Sequence, residues 1–440
     1  MNEVTIEGGN PLIGNVKVSG AKNSAVKIIV AALLSNEDIV LENIPRIDNV
    51  LTDLKIIECL GAKVQWLGPN RLVINGSGLD SYEIPLDLGS KNRTASLLAA
   101  PLIFRFGKAR IPLPGGCRIG PRPINRWIET WQSFGINVED KNGVLYLESG
   151  KLEPAEIAFK INTHTGTDNA VIFSSFIPGK STILNAAEEP EVDDLIEFLN
   201  LIGSEIVRVE GKRIEVLGKN VFKGGSFKIM SDRNEIATFA TAAVLTRGNI
   251  TISPVNKANL LSFVNLIDKM GCTYEFSGEE MRVWYNGGKL NPVNVTTSPA
   301  PGFMTDWQPL AVLLLTQAEG ESIVHDTIYT DRFSYTKDLN SMGAEINVIK
   351  PSEVGIEAVI SDDMYDVKKF GEPKTIAKIH GPTKFHGTKA NIPDLRAGAV
   401  LVLAALTATG KSNLLGVENI ERGYEDFFDK LKNLGGKIIT

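Results

Sequence analysis

LGAKVQWLGPNRLVING, residues 60–76, is the stretch whose reading decides the fold. An apolar residue and a glycine close a helix-like run, and apolar and polar residues then alternate up to the turn residues at Pro69 and Asn70. Glycine after an amphipathic helix supplies the left-handed cap, and period-two alternation is the pattern of a half-buried strand. The unit is therefore helix, strand, turn, strand.

The same pattern recurs along the chain, at Phe134-Gly135-Ile136-Asn137-Val138, Ile202-Gly203-Ser204-Glu205-Ile206, Met270-Gly271-Cys272-Thr273-Tyr274, Met342-Gly343-Ala344-Glu345-Ile346 and Leu434-Gly435-Gly436-Lys437-Ile438. With Gly61, the glycines lie 74, 68, 68, 72 and 92 positions apart, a period that marks an internal repeat rather than chance. Each unit holds a second helix rich in Ala, Leu and Ser, expected at 24–34, 94–105, 168–177, 234–246, 307–317 and 395–407. Small and apolar residues on several faces suit burial on all sides. Six β/α repeats with helices packed inside sheets give an α/β (α+β) fold.

The residues before these helices carry the chemistry. Gly20-Ala21-Lys22-Asn23, Ser90-Lys91-Asn92-Arg93, Thr165-Gly166-Thr167-Asp168, Ser231-Asp232-Arg233, Met304-Thr305-Asp306 and Pro393-Asp394-Leu395-Arg396 occupy equivalent places. Free N–H groups and the macrodipole make helix starts anion sites. Asp168, Asp232 and Asp394 suit N-caps, but Arg93, Arg233 and Arg396 oppose the dipole, so capping does not explain them. Cations on several equivalent starts suit a polyanionic, phosphorylated ligand, and Arg122, Arg332 and Arg422 add to them.

Composition narrows the classes. A net charge of -6 leaves no basic stripe for nucleic acid. The start MNEVTIEGGN is no secretory signal, and the apolar run 397–409 is too short for a bilayer span, so a cytoplasmic chain without membrane attachment is expected. Cys59, Cys117 and Cys272 form no disulfide framework, and the four histidines show no metal-ligand spacing, so neither metal nor cofactor is expected. Oligomeric state is not readable.

Seven blocks in order, SGAKNSA (19–25), LPGGCRIGPRP (113–123), SDRNE (231–235), FMTDWQ (303–308), DRF (331–333), DLRAGA (394–399) and ERGYED (421–426), carry a resemblance over the whole chain. The sequence resembles the UDP-N-acetylglucosamine 1-carboxyvinyltransferases, the enolpyruvyl transferase family that opens peptidoglycan precursor synthesis. The sister family making 5-enolpyruvylshikimate 3-phosphate shares the repeat but lacks the cysteine loop. The resemblance implies a two-lobed, inverted α/β barrel-like fold with a cleft between lobes. The first lobe would span 22–230 with the cysteine loop, and the second 1–21 plus 231–440.

It also implies roles. Phosphoenolpyruvate would be held by Lys22, Arg122 and Arg422 at the phosphate and by Arg332 and Arg396 at the carboxylate. Asp306 would be the base for the acceptor hydroxyl, with Lys22 and Asp394 in the catalytic group. Cys117 would serve proton delivery and product release and be the target of fosfomycin; Arg118 and Arg122 beside it favour a thiolate. Acceptor contacts would come from Asn23, Arg93, Pro123, Asn125, Arg126, Thr165, Gly166 and Asp306.

The nucleotide side departs from the family pattern. Asn125, Arg126 and Trp127 stand where an acidic residue, an aliphatic one and a histidine are expected, and Asn162 stands where a lysine is expected. One diphosphate cation is thereby missing, which Arg126 or His164 could replace, and Asp168 is an unwelcome charge beside a phosphate. UDP-N-acetylglucosamine is the expected acceptor. A paralogue using another nucleotide or nucleotide-sugar acceptor, or a non-catalytic nucleotide-sugar sensor, are the alternatives, separated by phosphate release from phosphoenolpyruvate.

Overall fold

The computed structural model describes residues 3–114, 124–361 and 365–439. The chain divides at Ser19/Gly20 and Met230/Ser231 into two units, one built from 20–114 and 124–230 and the other from the N-terminal strands and 231–439, among the described residues. Each has its own continuous apolar core.

The repeat glycines do what the sequence asks of them. Gly61, Gly135, Gly203, Gly271, Gly343 and Gly435 all have positive φ, from 81° to 125°. A Cβ on Gly61 would also stand 2.4 Å from the Gly78 carbonyl oxygen, so the position is closed to side chains by space as well as by backbone conformation.

After Gly61, Gly135, Gly203 and Gly271 comes a hairpin, and the strands are built into six separate sheets, none of which closes into a barrel among the described residues. The pattern is shared. Strand 63–68 pairs with 71–75, which pairs with Ile39–Glu42, all antiparallel, and Gly225–Lys228 adds a parallel edge. The order recurs with 205–210, 213–218, 179–184 and the parallel edge 156–158. It recurs again with 273–277, 280–284, 249–253 and the parallel edge 13–17. The three-stranded sheet 136–141, 144–149 and 108–112 has only a single parallel bridge, Glu83 to Arg110, where the others have an edge strand.

Two sheets modify the plan. Between strands 345–349 and 376–381 the tight turn is replaced by residues 350–375. In the last sheet the N-terminal strand Glu3–Glu7 sits between Lys411–Leu415 and Lys437–Ile439, antiparallel to both.

The second helices are buried on every side. Leu395–Thr407 begins and ends as the sequence predicts, and 233–245 and 164–176 have no exposed residue beyond the first turn. Three of the six have a short 3-10 segment at one end: Ala32–Leu34 after Lys22–Ala31, Arg93–Leu98 before Ala99–Phe106, and Thr305–Trp307 before Gln308–Leu315. The helix at 164–176 starts four residues earlier than expected, because Thr163 caps it by accepting from Gly166 N. No helix among the described residues is long and apolar enough to cross a membrane.

Candidate active site

In the unit built from 231–439, three predicted residues converge. Asp306 lies in the turn Thr305–Trp307, Arg332 in the loop after strand 320–325, and Arg396 in the first turn of helix Leu395–Thr407. Asp306 Oδ1 accepts from Arg332 Nη2 at 3.0 Å, and Oδ2 accepts from Arg396 Nε and Nη2 at 3.2 and 3.1 Å. One carboxylate thus faces two guanidinium groups.

Both arginines are buried, with side chains 5% and 8% exposed. Burial opposes their charge, yet Asp306 together with neighbouring tyrosines and acids more than offsets it, and both guanidinium groups are held above their ordinary range. Arg396 also lies over the Tyr424 ring and Arg332 over Tyr329. The Nη1 group of each arginine is buried with no hydrogen-bond partner among the described residues. A buried charged donor without an acceptor is costly, so the two Nη1 groups are donors chemically suited to an anion.

Asp326, fully buried, fixes this geometry. Its carboxylate accepts from the Thr297 and Thr305 hydroxyls and from the N–H groups of Ile328 and Tyr329, tying the turn before Asp306 to the loop that leads to Arg332. Asp394 caps the helix bearing Arg396, its Oδ1 accepting from Arg396 N and Ala397 N at 2.9 and 3.1 Å. Asp232 caps 233–245 in the same way. Arg233, in its first turn, lies over the Trp307 ring. Arg422 is exposed, in the turn after Glu418–Glu421.

In the unit built from 20–230, Lys22 and Asn23 open helix Lys22–Ala31, both half-buried. The Lys22 charge acts on Asp53, which is fully buried and accepts from the Asn92 amide and the Thr94 hydroxyl. Burial pushes the Asp53 carboxyl up to about 7, with those bonds and Lys22 pulling the other way. Arg93 follows the Asn92 cap and lies 4.6 Å from the Trp127 ring. Trp127 itself is buried, so it is a platform under Arg93 and part of the core. Asn125 is exposed and Arg126 half-buried at the start of helix Asn125–Ser133.

Thr165 and Gly166 lie in the first turn of His164–Phe176. Beside them, Lys27 Nζ is 2.6 Å from Asp168 Oδ1 and 2.8 Å from His164 Nε2. Asp168 is therefore no N-cap but half of a buried ion pair, and its charge is compensated. The Asn162 amide donates to the carbonyls of Asn185 and Ala186, a structural clamp. Cys117, Arg122 and Pro123 lie outside the described residues.

Sequence reading missed Lys27, Asp53 and Asp326. Lys27 was findable: it is the one charge within Ser24–Leu34, a stretch otherwise without ionisable groups, and a buried Lys needs a partner.

The model of the EPSP synthase (3-phosphoshikimate 1-carboxyvinyltransferase) family matches residues 6–431. A UDP-N-acetylglucosamine 1-carboxyvinyltransferase of Idiomarina loihiensis is 35% identical over 439 residues, covering 100% of this chain and 99% of that protein. A UDP-N-acetylglucosamine 1-carboxyvinyltransferase 1 of Carboxydothermus hydrogenoformans is 36% identical over 440 residues, covering 100% and 98%. Among solved structures, the enolpyruvyl transferase NikO from Streptomyces tendae superposes with a TM-score of 0.87 at 24% identity, covering 100% of this chain and 99% of its own. EPSP synthase from Acinetobacter baumannii gives 0.71 at 15% identity, with the same coverage. Those two share the fold, and the full-length relatives go further: the chain belongs to the UDP-N-acetylglucosamine 1-carboxyvinyltransferase family of enolpyruvyl transferases.

Proposed function

We propose that the chain transfers the enolpyruvyl group of phosphoenolpyruvate to the 3-hydroxyl of UDP-N-acetylglucosamine and releases phosphate, in peptidoglycan precursor synthesis. The observation that carries this reading is the Arg332–Asp306–Arg396 group, two buried guanidinium groups that share one carboxylate and keep unpartnered N–H donors. That arrangement suits the donor's carboxylate, because planar guanidinium forks match it.

The incoming carboxylate competes with Asp306 for the same forks. Binding of the donor thus loosens Asp306 and returns lone pairs to it, which a base requires. Asp306 then takes the proton of the acceptor hydroxyl as its oxygen bonds to the central carbon of phosphoenolpyruvate, and a proton is added at the methylene carbon. Cys117 serves that second transfer. In the elimination the bond to the phosphate oxygen breaks, the new methyl group gives up a proton, and the vinyl ether remains. Lys22, Arg122 and Arg422 hold the departing phosphate, and Asp394 acts through the helix start that carries Arg396.

Asn23, Arg93, Asn125, Arg126, Thr165 and Gly166 form the acceptor side. The substrates are metabolites of the cytoplasm, which is where the activity belongs. Phosphate release is the test: the chain with phosphoenolpyruvate and UDP-N-acetylglucosamine should liberate phosphate and give a product heavier by the enolpyruvyl group. Tight nucleotide-sugar binding without release would overturn the reading in favour of a sensor. Fosfomycin should add one adduct to the chain and none to Cys117→Ser; an adduct on both would remove Cys117 from the mechanism.

A further inference from the structure

Asp53 is 1% exposed on helix Asp48–Cys59, a carboxylate set into the core of its unit. Burying a charge is costly unless hydrogen bonds compensate it, and here the compensating donors bracket one residue. The Asn92 amide donates to Asp53 Oδ1 at 2.7 Å, and the Thr94 hydroxyl lies 3.0 and 2.9 Å from the two carboxylate oxygens. Arg93 is the residue between them.

Capping of the segment Arg93–Leu98 does not need this carboxylate. Asn92 Oδ1 itself accepts from Thr94 N, and the Asn92 amide also reaches the carbonyl of Asn49, one turn before Asp53 on the same helix. What Asp53 adds is a tie on each side of Arg93, which fixes the backbone there relative to helix Asp48–Cys59. The guanidinium is fixed separately, 4.6 Å from the ring of the buried Trp127. A long side chain held at its backbone and at its far end has little rotamer freedom left to lose when it binds an anion.

We propose that Asp53 is a positioning residue for Arg93 and, through it, for the acceptor. Asp53 acts through the two residues that flank the arginine and touches no substrate itself. Its charge also acts on Lys22, which opens helix Lys22–Ala31, and opposes the charge of that lysine. The same carboxylate thus orders the arginine and tempers the field of the lysine. This inference rests on Arg93 contacting the acceptor, as in the function proposed above.

The test combines calorimetric binding of UDP-N-acetylglucosamine with the KM values of both substrates in phosphate release. Arg93→Ala and Asp53→Ala should each weaken acceptor binding about tenfold, and the double variant should bind no more weakly than Arg93→Ala, because the two residues act as one unit. Asp53→Asn keeps an oxygen for Asn92 and Thr94 and should recover most of the affinity. The KM for phosphoenolpyruvate should hold or fall in both Asp53 variants, since a negative charge acting on Lys22 is gone. A purely structural fault would raise both KM values together. Thr94→Val removes one tie with Asp53 in place and should weaken acceptor binding about threefold, which decides the matter if Asp53→Ala does not fold.

Wild-type acceptor affinity in folded Asp53→Ala or in Thr94→Val, where Arg93→Ala binds weakly, overturns the proposal. So do losses that multiply in the double variant, or a KM for phosphoenolpyruvate that rises in step with that of the acceptor. Absence of phosphate release by the wild-type chain, with the affinity pattern as expected, overturns the enzymatic reading and leaves Asp53 as the positioning residue of Arg93.

Discussion

Two charged groups sit at equivalent helix starts and are finished differently. At 306, 332 and 396, one carboxylate faces two arginines and each arginine keeps an unpartnered donor. At 27, 164 and 168, one ammonium is shared by a carboxylate and an imidazole that between them leave it well paired. The first group has donors left over, which suits it to the anion of the proposed reaction, while in the second the ammonium is matched by two acceptors. Corresponding positions in a repeat thus differ through the count of donors and acceptors, not through the type of residue alone.

The largest expected effect tests the first group at its centre. Asp306→Ala should lower kcat by about a thousandfold, the usual range for a lost general base. Variant activity within tenfold of wild type, measured by phosphate release, would move the base elsewhere. Arg396→Lys comes next. It keeps the charge but loses the fork on Asp306, and the KM for phosphoenolpyruvate should rise about ten- to a hundredfold while the acceptor KM holds. A rise in the acceptor KM instead would assign the pair to the wrong substrate.

Buried acids elsewhere provide a contrast through pH. Burial pushes Asp53 from 3.8 up to about 7, Asp194 from 3.8 up to about 6 and Glu235 from 4.5 up to about 7. The folded chain then holds protons that the unfolded chain has already released. Their contribution is fully present near pH 4 and is lost as the pH rises through about 6 to 7. Unfolding midpoints should therefore fall between pH 5 and pH 8, and Asp53→Asn, neutral at every pH, should flatten the profile by about 1–4 kcal/mol. An unchanged slope would remove Asp53 as a source. The smallest effect is that of Asn162→Lys. It breaks the clamp on 185–186 and should cost about 1 kcal/mol of stability, and a stabilised variant would contradict that role.

The fold was legible because its signals are local. A glycine with positive φ ends a helix, and five neighbouring residues suffice to show it at Gly61 or Gly435. The charged helix starts were legible for the same reason, as were Arg332, Arg396 and Asp306 as separate cations and acid. Their pairing was not. Asp306 meets Arg396 across 90 positions, and Lys27 meets Asp168 across 141. Such contacts depend on which helices pack together. Asp168 and Trp127 were read as departures in a pocket, and each proves to have a partner, Lys27 for one and Arg93 for the other, that neutralises or uses it.

The strand Glu3–Glu7 pairs with the strands at 411–415 and 437–439, with contacts more than 400 positions apart in the chain, as in Thr5 to Asn413. During synthesis the unit formed by 20–230 has all of its strands once residue 230 has emerged, whereas the other must keep its first strand waiting until the last has been made. Until then the backbone edges of this strand and its Val4 and Ile6 side chains lack their native partners, which leaves it open to pairing with another chain.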